Sequence, residues 1–151
     1  MTARSAGTDM TGGPLSDSIV VEFTKYLNRI KRITTDPRMP GKSYAIVEPG
    51  VYFRDFEGEL DKVGLLYPPY PASKDLCAMG GIVNNNSGGE LTLQYGKTED
   101  YVEELDVVLS DGELHHLEPL MGDALQNKLK EGGFEGDIYR KLHKLILDNY
   151  E

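Results

Sequence analysis

A segment rich in glycine, proline and asparagine, between residues 65 and 112, constrains the fold of this chain more than any other feature. Its glycines lack a Cβ, so the main chain can come very close to a phosphate, a flat ring or another backbone. The run Asn84, Asn85 and Asn86 adds polar residues that tolerate the left-handed region. The composition is typical of a segment that lays its backbone amides against an extended anionic ligand.

Charge and cysteine content exclude several classes of function. A net charge of -9 argues against nucleic acids and anionic membranes as partners, because binding many phosphates requires clustered Lys and Arg. A small anion can still bind locally at backbone amides. Cys77 is the only cysteine, which excludes an intrachain disulfide and a cysteine-based zinc site. We therefore expect a cytoplasmic protein without a transmembrane segment, since no apolar run approaches roughly 20 residues.

Hydrophobic patterns predict strands and one helix in the first two thirds of the chain. Residues 19–23 (IVVEF) are apolar and β-branched and predict a buried strand, and residues 43–47 (SYAIV) predict a second strand. Between them the chain is expected to break at Pro37, Pro40 and Gly41. Helical spacing then predicts one amphipathic helix through Phe53, Phe56, Leu60 and Val63.

The last third predicts a hairpin followed by two helices. Residues 101–117 alternate like a strand pair around Asp111-Gly112, a strong hairpin signal. Helical patterns follow at residues 123–130 and from Asp137, which we expect to be an N-cap. The second helix is expected to bury one face, formed by Ile138, Leu142, Leu145 and Ile146.

The N-terminal stretch from Arg4 to Pro14 is a loop of small residues that leads directly into the first predicted strand. Such a loop offers consecutive amides to oxyanions, with the Thr8 and Thr11 hydroxyls as further donors. An isolated stretch of this kind would more often be a frayed terminus. Arg4 and Lys97 either neutralise phosphates or are surface charges.

Four ordered motifs resemble the FAD-binding domain of the vanillyl-alcohol oxidase and p-cresol methylhydroxylase type. This family includes D-lactate dehydrogenases, glycolate oxidase subunits and alkyl-dihydroxyacetone-phosphate synthases. The motifs are RSAGTDMTGG, which is similar to the family's pyrophosphate loop, YPPYPAS, CAMGGIVNNNSGG, and YGKTEDYVEELDVVLSDGE. The resemblance spans residues 3–113. It implies an α+β fold with an antiparallel or mixed sheet and flanking helices.

The resemblance also implies which residues bind FAD. Those at the pyrophosphate are Ser5, Ala6, Gly7, Thr8, Asp9, Gly13 and Pro14. Those along the isoalloxazine and ribityl chain are Pro71, Ala72, Ser73, Ala78, Met79, Gly80 and Gly81, with further contributions from Asn84, Asn86, Gly88, Tyr95 and Gly96.

Several departures from the family pattern matter. Tyr70 and Ala78 stand where many relatives have Asp and a hydroxyl residue. Thr8 stands where relatives with a histidyl-linked flavin have His, so we expect the flavin to be non-covalent. The family domain also has a strand and helix before the loop and a substrate cap after the hairpin. We therefore expect residues 1–151 to be a single partial FAD-binding domain that lacks both.

The expected function is the FAD-binding portion of a flavin-dependent oxidoreductase that oxidises a 2-hydroxy acid such as D-lactate or glycolate. No catalytic residue can be carried over, and the substrate would bind in the full-length protein. An unpaired sheet edge beside residues 19–23 predicts self-association, or pairing with the missing part of the enzyme. Two alternatives stay open: a catalytically incomplete fragment or subunit that docks onto another polypeptide, and a generic small-anion or nucleotide-binding module.

We expect no metal site. His115 and His116 are adjacent on a predicted strand and should point to opposite faces, so they are not expected to share an ion. Cys77 has no basic neighbour closer than Lys74 and is expected to be a small buried residue rather than a reactive thiol.

Overall fold

The computed structural model describes residues 1–35 and 43–150. The chain separates into two compact units, Met1–Tyr101 and Val102–Glu151. The predicted α+β class with small mixed sheets and flanking helices is confirmed. The prediction that residues 1–151 form one partial domain stays a prediction. The predicted break at Pro37, Pro40 and Gly41 lies outside the described residues.

The first unit contains two small sheets. Strand β1 (Thr2–Arg4) pairs in parallel with β2 (Val20–Glu22). The strand predicted at residues 19–23 therefore exists, but the prediction that it is buried is wrong: all three residues of β2 are exposed. A β-branched run predicts the extended conformation of the backbone, but it does not determine what covers the side chains.

The second sheet joins β3 (Ile30–Thr34) to β4 (Tyr44–Val47) in an antiparallel pair. Strand β4 confirms the prediction for residues 43–47. Strand β3 was missed, because Ile30 and Ile33, which both pack against the core, are three residues apart with Lys31 and Arg32 between them, so the sequence shows no alternation. The register shifts between Ile30 and Arg32, which marks a bulge in β3.

Helix α1 (Phe53–Asp61) carries the apolar face that the spacing predicts. Phe53, Phe56 and Leu60 are buried, whereas Val63 lies beyond the helix and is 46% exposed. The helix ends in a Schellman motif, in which Leu65 N–H donates to the Leu60 carbonyl at 3.0 Å. Gly64 supplies the positive φ, +69°, that this motif requires.

One hydrophobic core fills the first unit. Three helices follow α1 along the chain: α2 (Met79–Asn84), α3 (Thr92–Tyr95) and a short 3-10 helix (Thr98–Tyr101). Helix α2 contributes two buried side chains, and the chain before it contributes Cys77. The buried residues of this core are Val51, Phe53, Phe56, Leu60, Cys77, Met79 and Ile82.

The second unit contains the predicted hairpin, β5 (Leu105–Val108) and β6 (Leu114–Leu117), joined at Gly112 with φ +84°. His115 Nδ1 lies 2.9 Å from Glu135 Oε2, and its Nε2 lies 3.0 Å from Asp111 Oδ2. These hydrogen bonds, that with Glu135 foremost, raise the pKa of His115. His115 thereby ties the hairpin to the last helix.

Two helices complete the second unit, α4 (Asp123–Lys128) and α5 (Gly133–Asn149). The prediction that Asp137 is the N-cap is wrong. The N-cap lies five residues earlier, at Gly132, and Asp137 instead binds Arg140 within the helix.

The predicted buried face of α5 is also wrong. Leu142, Leu145 and Ile146 are between 52% and 59% exposed, and Ile138 is half-buried. Helical periodicity shows that a helix is amphipathic, but it does not identify what packs on the apolar side. Among the helices of residues 1–35 and 43–150, none combines the length and apolarity that crossing a membrane requires.

Glu48 is a carboxylate almost without solvent exposure, 5%, at the end of β4. Its Oε2 accepts the Arg29 backbone N–H at 2.9 Å, and its Oε1 accepts Arg29 Nη2 at 2.8 Å. Lys31 Nζ lies 3.8 Å from Oε1. These partners, the Arg29 side chain foremost, lower the pKa of Glu48.

We predict that Glu48 makes the stability of the protein fall in acid. Because its pKa is lower in the folded state than in the unfolded state, its stabilisation is complete above the unfolded value of about 4.3. It is lost as the pH falls through the folded pKa. Urea midpoints of the Glu48→Gln variant should therefore be lower than wild type at neutral pH and approach it near pH 3.

Glu59→Gln is the matched control, because Glu59 is an exposed carboxylate of α1 that pairs with Lys62. Its urea midpoints should follow those of wild type across the pH range. Parallel pH profiles for wild type and Glu48→Gln would contradict the assignment of the acid sensitivity to Glu48.

Candidate functional site

The carbonyl oxygen of Pro49 connects the N-terminal loop to helix α2. Ser5 Oγ donates to it at 3.0 Å across 44 residues of sequence, and the Gly80 backbone N–H donates to it at 2.8 Å. The predicted pyrophosphate loop and the Gly80-Gly81 pair are therefore brought together by one acceptor. Pro49 lies two residues after the end of β4, directly after the buried Glu48.

The loop that follows β1 has two residues whose backbone conformation favours glycine. Gly7 has φ +70° and Gly12 has φ +81°, the region that favours glycine. A Cβ on Gly7 would lie 2.6 Å from Arg4 Nε, so the guanidinium covers this residue. Within the described residues, neither Gly7 nor Thr8 donates its backbone N–H to another protein atom. Two amides beside a cation are thus free to bind an anion.

Asp9 organises the second half of the loop. Its Oδ1 accepts the Thr11 backbone N–H at 2.9 Å, and its Oδ2 accepts the Gly13 backbone N–H at 2.9 Å. The Thr11 hydroxyl lies 2.8 Å from Oδ2. The hydrogen bond from the Thr11 amide is the main cause of the lowered pKa of Asp9.

The two glycines at the start of α2 have different surroundings. A Cβ on Gly80 would lie 2.7 Å from Pro49 Cβ and 2.9 Å from the Pro49 carbonyl oxygen, so the backbones are in direct contact. A Cβ on Gly81 would meet only Ser5, at an ordinary 3.5 Å. Gly80 is therefore required for packing, whereas Gly81 lies next to the loop.

The proline-rich turn approaches the second glycine pair. A Cβ on Gly89 would collide with the carbonyl oxygen of Tyr70. The Tyr70 ring lies 5.8 Å from that of Phe53, and its hydroxyl donates to Glu90 Oε1 at 2.8 Å. Tyr70, where relatives often have Asp, thus anchors the turn on the core through its ring.

A small polar network holds the segment after α2. Thr98 is 1% exposed, and its Oγ1 donates to the Ser87 carbonyl at 2.8 Å while accepting the Tyr67 hydroxyl at 3.1 Å. Asn86 has a positive φ of 45°, and its Oδ1 accepts the Glu99 N–H at 2.9 Å. The network joins this segment to the short 3-10 helix.

The predicted cofactor residues differ in how accessible they are. Ala78 is 1% and Met79 5% exposed, so their side chains lie in the core. Cys77, 4% exposed, confirms the prediction of a small buried residue, and burial raises the pKa of its thiol. The residues with at least partial exposure are Ser5, Ala6, Gly7, Thr8, Asp9, Gly13, Pro14, Pro71, Ala72, Ser73, Gly80, Gly81, Asn84, Asn86, Gly88, Tyr95 and Gly96.

The structure brings these residues together in two groups, and their role in cofactor binding stays a prediction. The loop meets Gly80 and Gly81 through Ser5 and Pro49, and the proline-rich turn meets Gly89. Pro49 is not among the residues that the sequence motifs single out. The sequence signal for a turn at this point is the tripeptide Glu48-Pro49-Gly50. In the structure, the Gly50 N–H also donates to the Leu27 carbonyl at 2.7 Å.

Two surface depressions in the described part of the second unit have volumes of about 190 and 170 Å³. Neither is lined by a predicted cofactor residue, and each is smaller than the roughly 300 Å³ at which sites for drug-sized ligands begin. His115 and His116 bind different carboxylates, His115 those of Asp111 and Glu135 and His116 that of Asp106. Glu104, His116 and Glu118 offer ligand atoms within 4.8 Å of one another, all on exposed side chains.

Comparison with known proteins shows which family the chain resembles. Residues 1–118 match the family model described as FAD binding domain. The chain is 30% identical over 145 residues to a D-2-hydroxyglutarate dehydrogenase of Pseudomonas putida, covering 96% of this chain and 14% of that protein. It is 39% identical over 113 residues to a glycolate oxidase subunit of Bacillus subtilis, covering 74% of this chain and 23% of that protein.

The chain thus spans less than a quarter of the length of these relatives. Among solved structures, an alkyldihydroxyacetonephosphate synthase superposes with a TM-score of 0.63 at 21% identity, covering 78% of this chain and 21% of that one. At this identity the likeness shows the fold alone. It confirms the fold class that the motifs predict.

We predict that Gly80 and Gly81 respond differently to a single added methyl group. Gly80→Ala should lower the melting temperature, because its Cβ would overlap Pro49 and force the two backbones apart. Gly81→Ala should leave it unchanged or slightly raised, because its Cβ fits and the helical residue gains propensity. Circular dichroism melts of both variants measure this difference. Equal melting temperatures for the two would contradict the close contact at Pro49.

Proposed function

The chain belongs to the family of FAD binding domains, matched over residues 1–118, and from this membership we propose that it forms the FAD-binding portion of an oxidoreductase. The observation that carries the proposal is the loop from Arg4 to Pro14, held against helix α2 by the Ser5–Pro49 hydrogen bond. This contact places the loop, in which the Gly7 and Thr8 amides are free among the described residues, beside Gly81, where an added Cβ would meet only Ser5. The family membership and the contact thus support one location for the pyrophosphate.

The substrate of the complete enzyme is proposed to be a 2-hydroxy acid. Relatives of this chain include D-2-hydroxyglutarate dehydrogenases, a glycolate oxidase subunit and a D-lactate dehydrogenase, all named for 2-hydroxy acids. The shared chemistry is oxidation of a carbon that bears a hydroxyl group next to a carboxylate. None of the residues described above is assigned to substrate binding.

The residues of the loop fit a pyrophosphate. The backbone N–H groups of Gly7 and Thr8 have no partner within the described residues, and the Arg4 guanidinium lies over Gly7. Consecutive amides in a turn with positive φ form an anion-binding concavity, and a neighbouring Arg strengthens the binding of phosphate oxygens. The site therefore binds an anion locally although the protein carries a net charge of -9.

The protein's own contribution is binding and orientation. When bound, FAD accepts a hydride from the substrate carbon, a reaction that no side chain can perform. Gly7 and Thr8 would hold the pyrophosphate through their amides, and Arg4 would offset its charge. Gly81 faces the loop at Ser5, where an added Cβ would lie 3.5 Å from Ser5 Cβ. Pro71, Ala72 and Ser73 would limit its position on the side of the proline-rich turn.

We predict that the loop glycine at position 7 is required for FAD binding. Gly7→Ala should weaken FAD binding at least tenfold, about 1.4 kcal/mol. A side chain at φ +70° strains the backbone, and the added Cβ would displace the Arg4 side chain. Gly112→Ala is the matched control, since it introduces the same strain at φ +84° in the hairpin turn with no atom within 4 Å. Flavin-fluorescence quenching measures the affinities. The proposal is overturned when both variants bind FAD like wild type, or when wild type binds none.

We propose that the flavin is held without a covalent bond. Thr8 occupies the position at which histidyl-linked relatives are expected to have His, and a hydroxyl group lacks the ring nitrogen that bonds to the flavin methyl group. Acid precipitation of the FAD-loaded protein should leave a colourless pellet and a yellow supernatant. A yellow pellet would show that another side chain forms the bond and that the proposed placement of this loop is wrong.

A cytoplasmic location is supported by the single, buried cysteine, which fits a reducing compartment.

Self-association, or pairing with another part of the enzyme, is supported by Val20 and Val21 of β2, whose side chains are 39% and 37% exposed. Among the described residues, β2 pairs only with β1, so its other edge is available to a further strand.

A further inference from the structure

We infer that Asp9 is a positioning residue that shapes the pyrophosphate loop by binding the backbone N–H groups of Thr11 and Gly13, and that it does not itself contact the phosphates. The inference rests on the proposed function and extends it to a division of labour within the loop. The first half, Gly7 and Thr8, binds the anion. The second half is closed by the protein's own carboxylate.

The hydrogen bonds define this role. The two oxygens of Asp9 accept one backbone N–H each, from Thr11 and from Gly13, both at 2.9 Å. The Thr11 hydroxyl lies 2.9 Å from Oδ1 and 2.8 Å from Oδ2, so it braces the same carboxylate. A carboxylate with this many donors is held in one orientation and fixes the backbone over five residues.

The lack of space around Gly13 supports the same conclusion independently. A Cβ on Gly13 would lie 2.5 Å from Asp9 Oδ2, so the space above this residue is filled by the carboxylate. The position at which the family resemblance places a phosphate contact is therefore occupied by a side chain of the protein. Gly13 is required here because Asp9 approaches it.

Charge determines which end of the loop binds the phosphates. A carboxylate repels a phosphate, so an anion will avoid Asp9 and its two bound amides. The Arg4 guanidinium lies over Gly7, at the other end. The free amides of Gly7 and Thr8 and this cation thus form the phosphate side. The closed turn keeps their backbone in the conformation that binding requires, which lowers the entropic cost of ordering the loop.

The test compares Asp9→Ala with Asp9→Asn in the full chain. Asp9→Ala removes both acceptors and should weaken FAD binding about tenfold in a fluorescence titration. Asp9→Asn keeps an oxygen for the Thr11 amide and removes the charge, and it should recover at least half of that loss on a logarithmic scale. Asp17→Ala, which removes one exposed charge from the same segment, should bind FAD like wild type.

Amide hydrogen exchange of the cofactor-free protein gives a readout that does not depend on FAD. The amides of Thr11 and Gly13 should be protected in wild type, unprotected in Asp9→Ala, and protected only at Thr11 in Asp9→Asn. Unchanged protection in Asp9→Ala would overturn the inference, whatever the flavin result. FAD binding by Asp9→Ala as tight as or tighter than wild type would also overturn it. Protection as expected, with no FAD binding by wild type, would refute the proposed function and leave the loop-closing role standing.

Discussion

The first unit depends on the tripeptide Glu48-Pro49-Gly50, at which four segments of the chain meet. The Glu48 carboxylate binds Arg29 at the start of β3, and the Gly50 N–H binds the Leu27 carbonyl. Between them, the Pro49 carbonyl accepts Ser5 from the loop and Gly80 from α2. Because Glu48 is buried and forms charge-assisted hydrogen bonds with Arg29, it holds the tripeptide against the residue that precedes β3. The loop and α2 take their positions from it.

The same geometry explains which glycines are structural. Gly50 lies against the carbonyl oxygens of Phe23 and Leu27, and Gly80 lies against Pro49, where added side chains would collide with backbone atoms. Gly7 instead provides a positive φ, and Gly81 has room next to Ser5. Glycine enrichment in these segments thus has a structural cause, backbone contact within the protein, beside the proposed one, space for the ligand. Only the second concerns the cofactor directly.

The sequence predicted the parts of the fold that depend on local pattern. Strand β4, helix α1 and the hairpin at Asp111-Gly112 carry a period or a turn signal that determines their backbone. It failed for β3, where the bulge puts Ile30 and Ile33 against the core at a spacing that does not alternate, and for the coverage of β2 and α5, which depends on distant residues. In the site, the motifs indicated the loop and the glycine pair, but not the role of Pro49, because a carbonyl acceptor has no side-chain signature.

The distance in sequence between Ser5 and Pro49 couples the proposed cofactor site to folding. Ser5 and Pro49 are separated by 44 residues and meet only when β4 and Glu48 are in place. The loop proposed to bind the pyrophosphate is therefore not a local motif that functions by itself, because its contact with Pro49 depends on the folded first unit. A ligand that binds only the folded state stabilises that state in proportion to the logarithm of its concentration. FAD bound at the loop should thus stabilise the contact at Pro49, strand β4 and the core behind it as one unit.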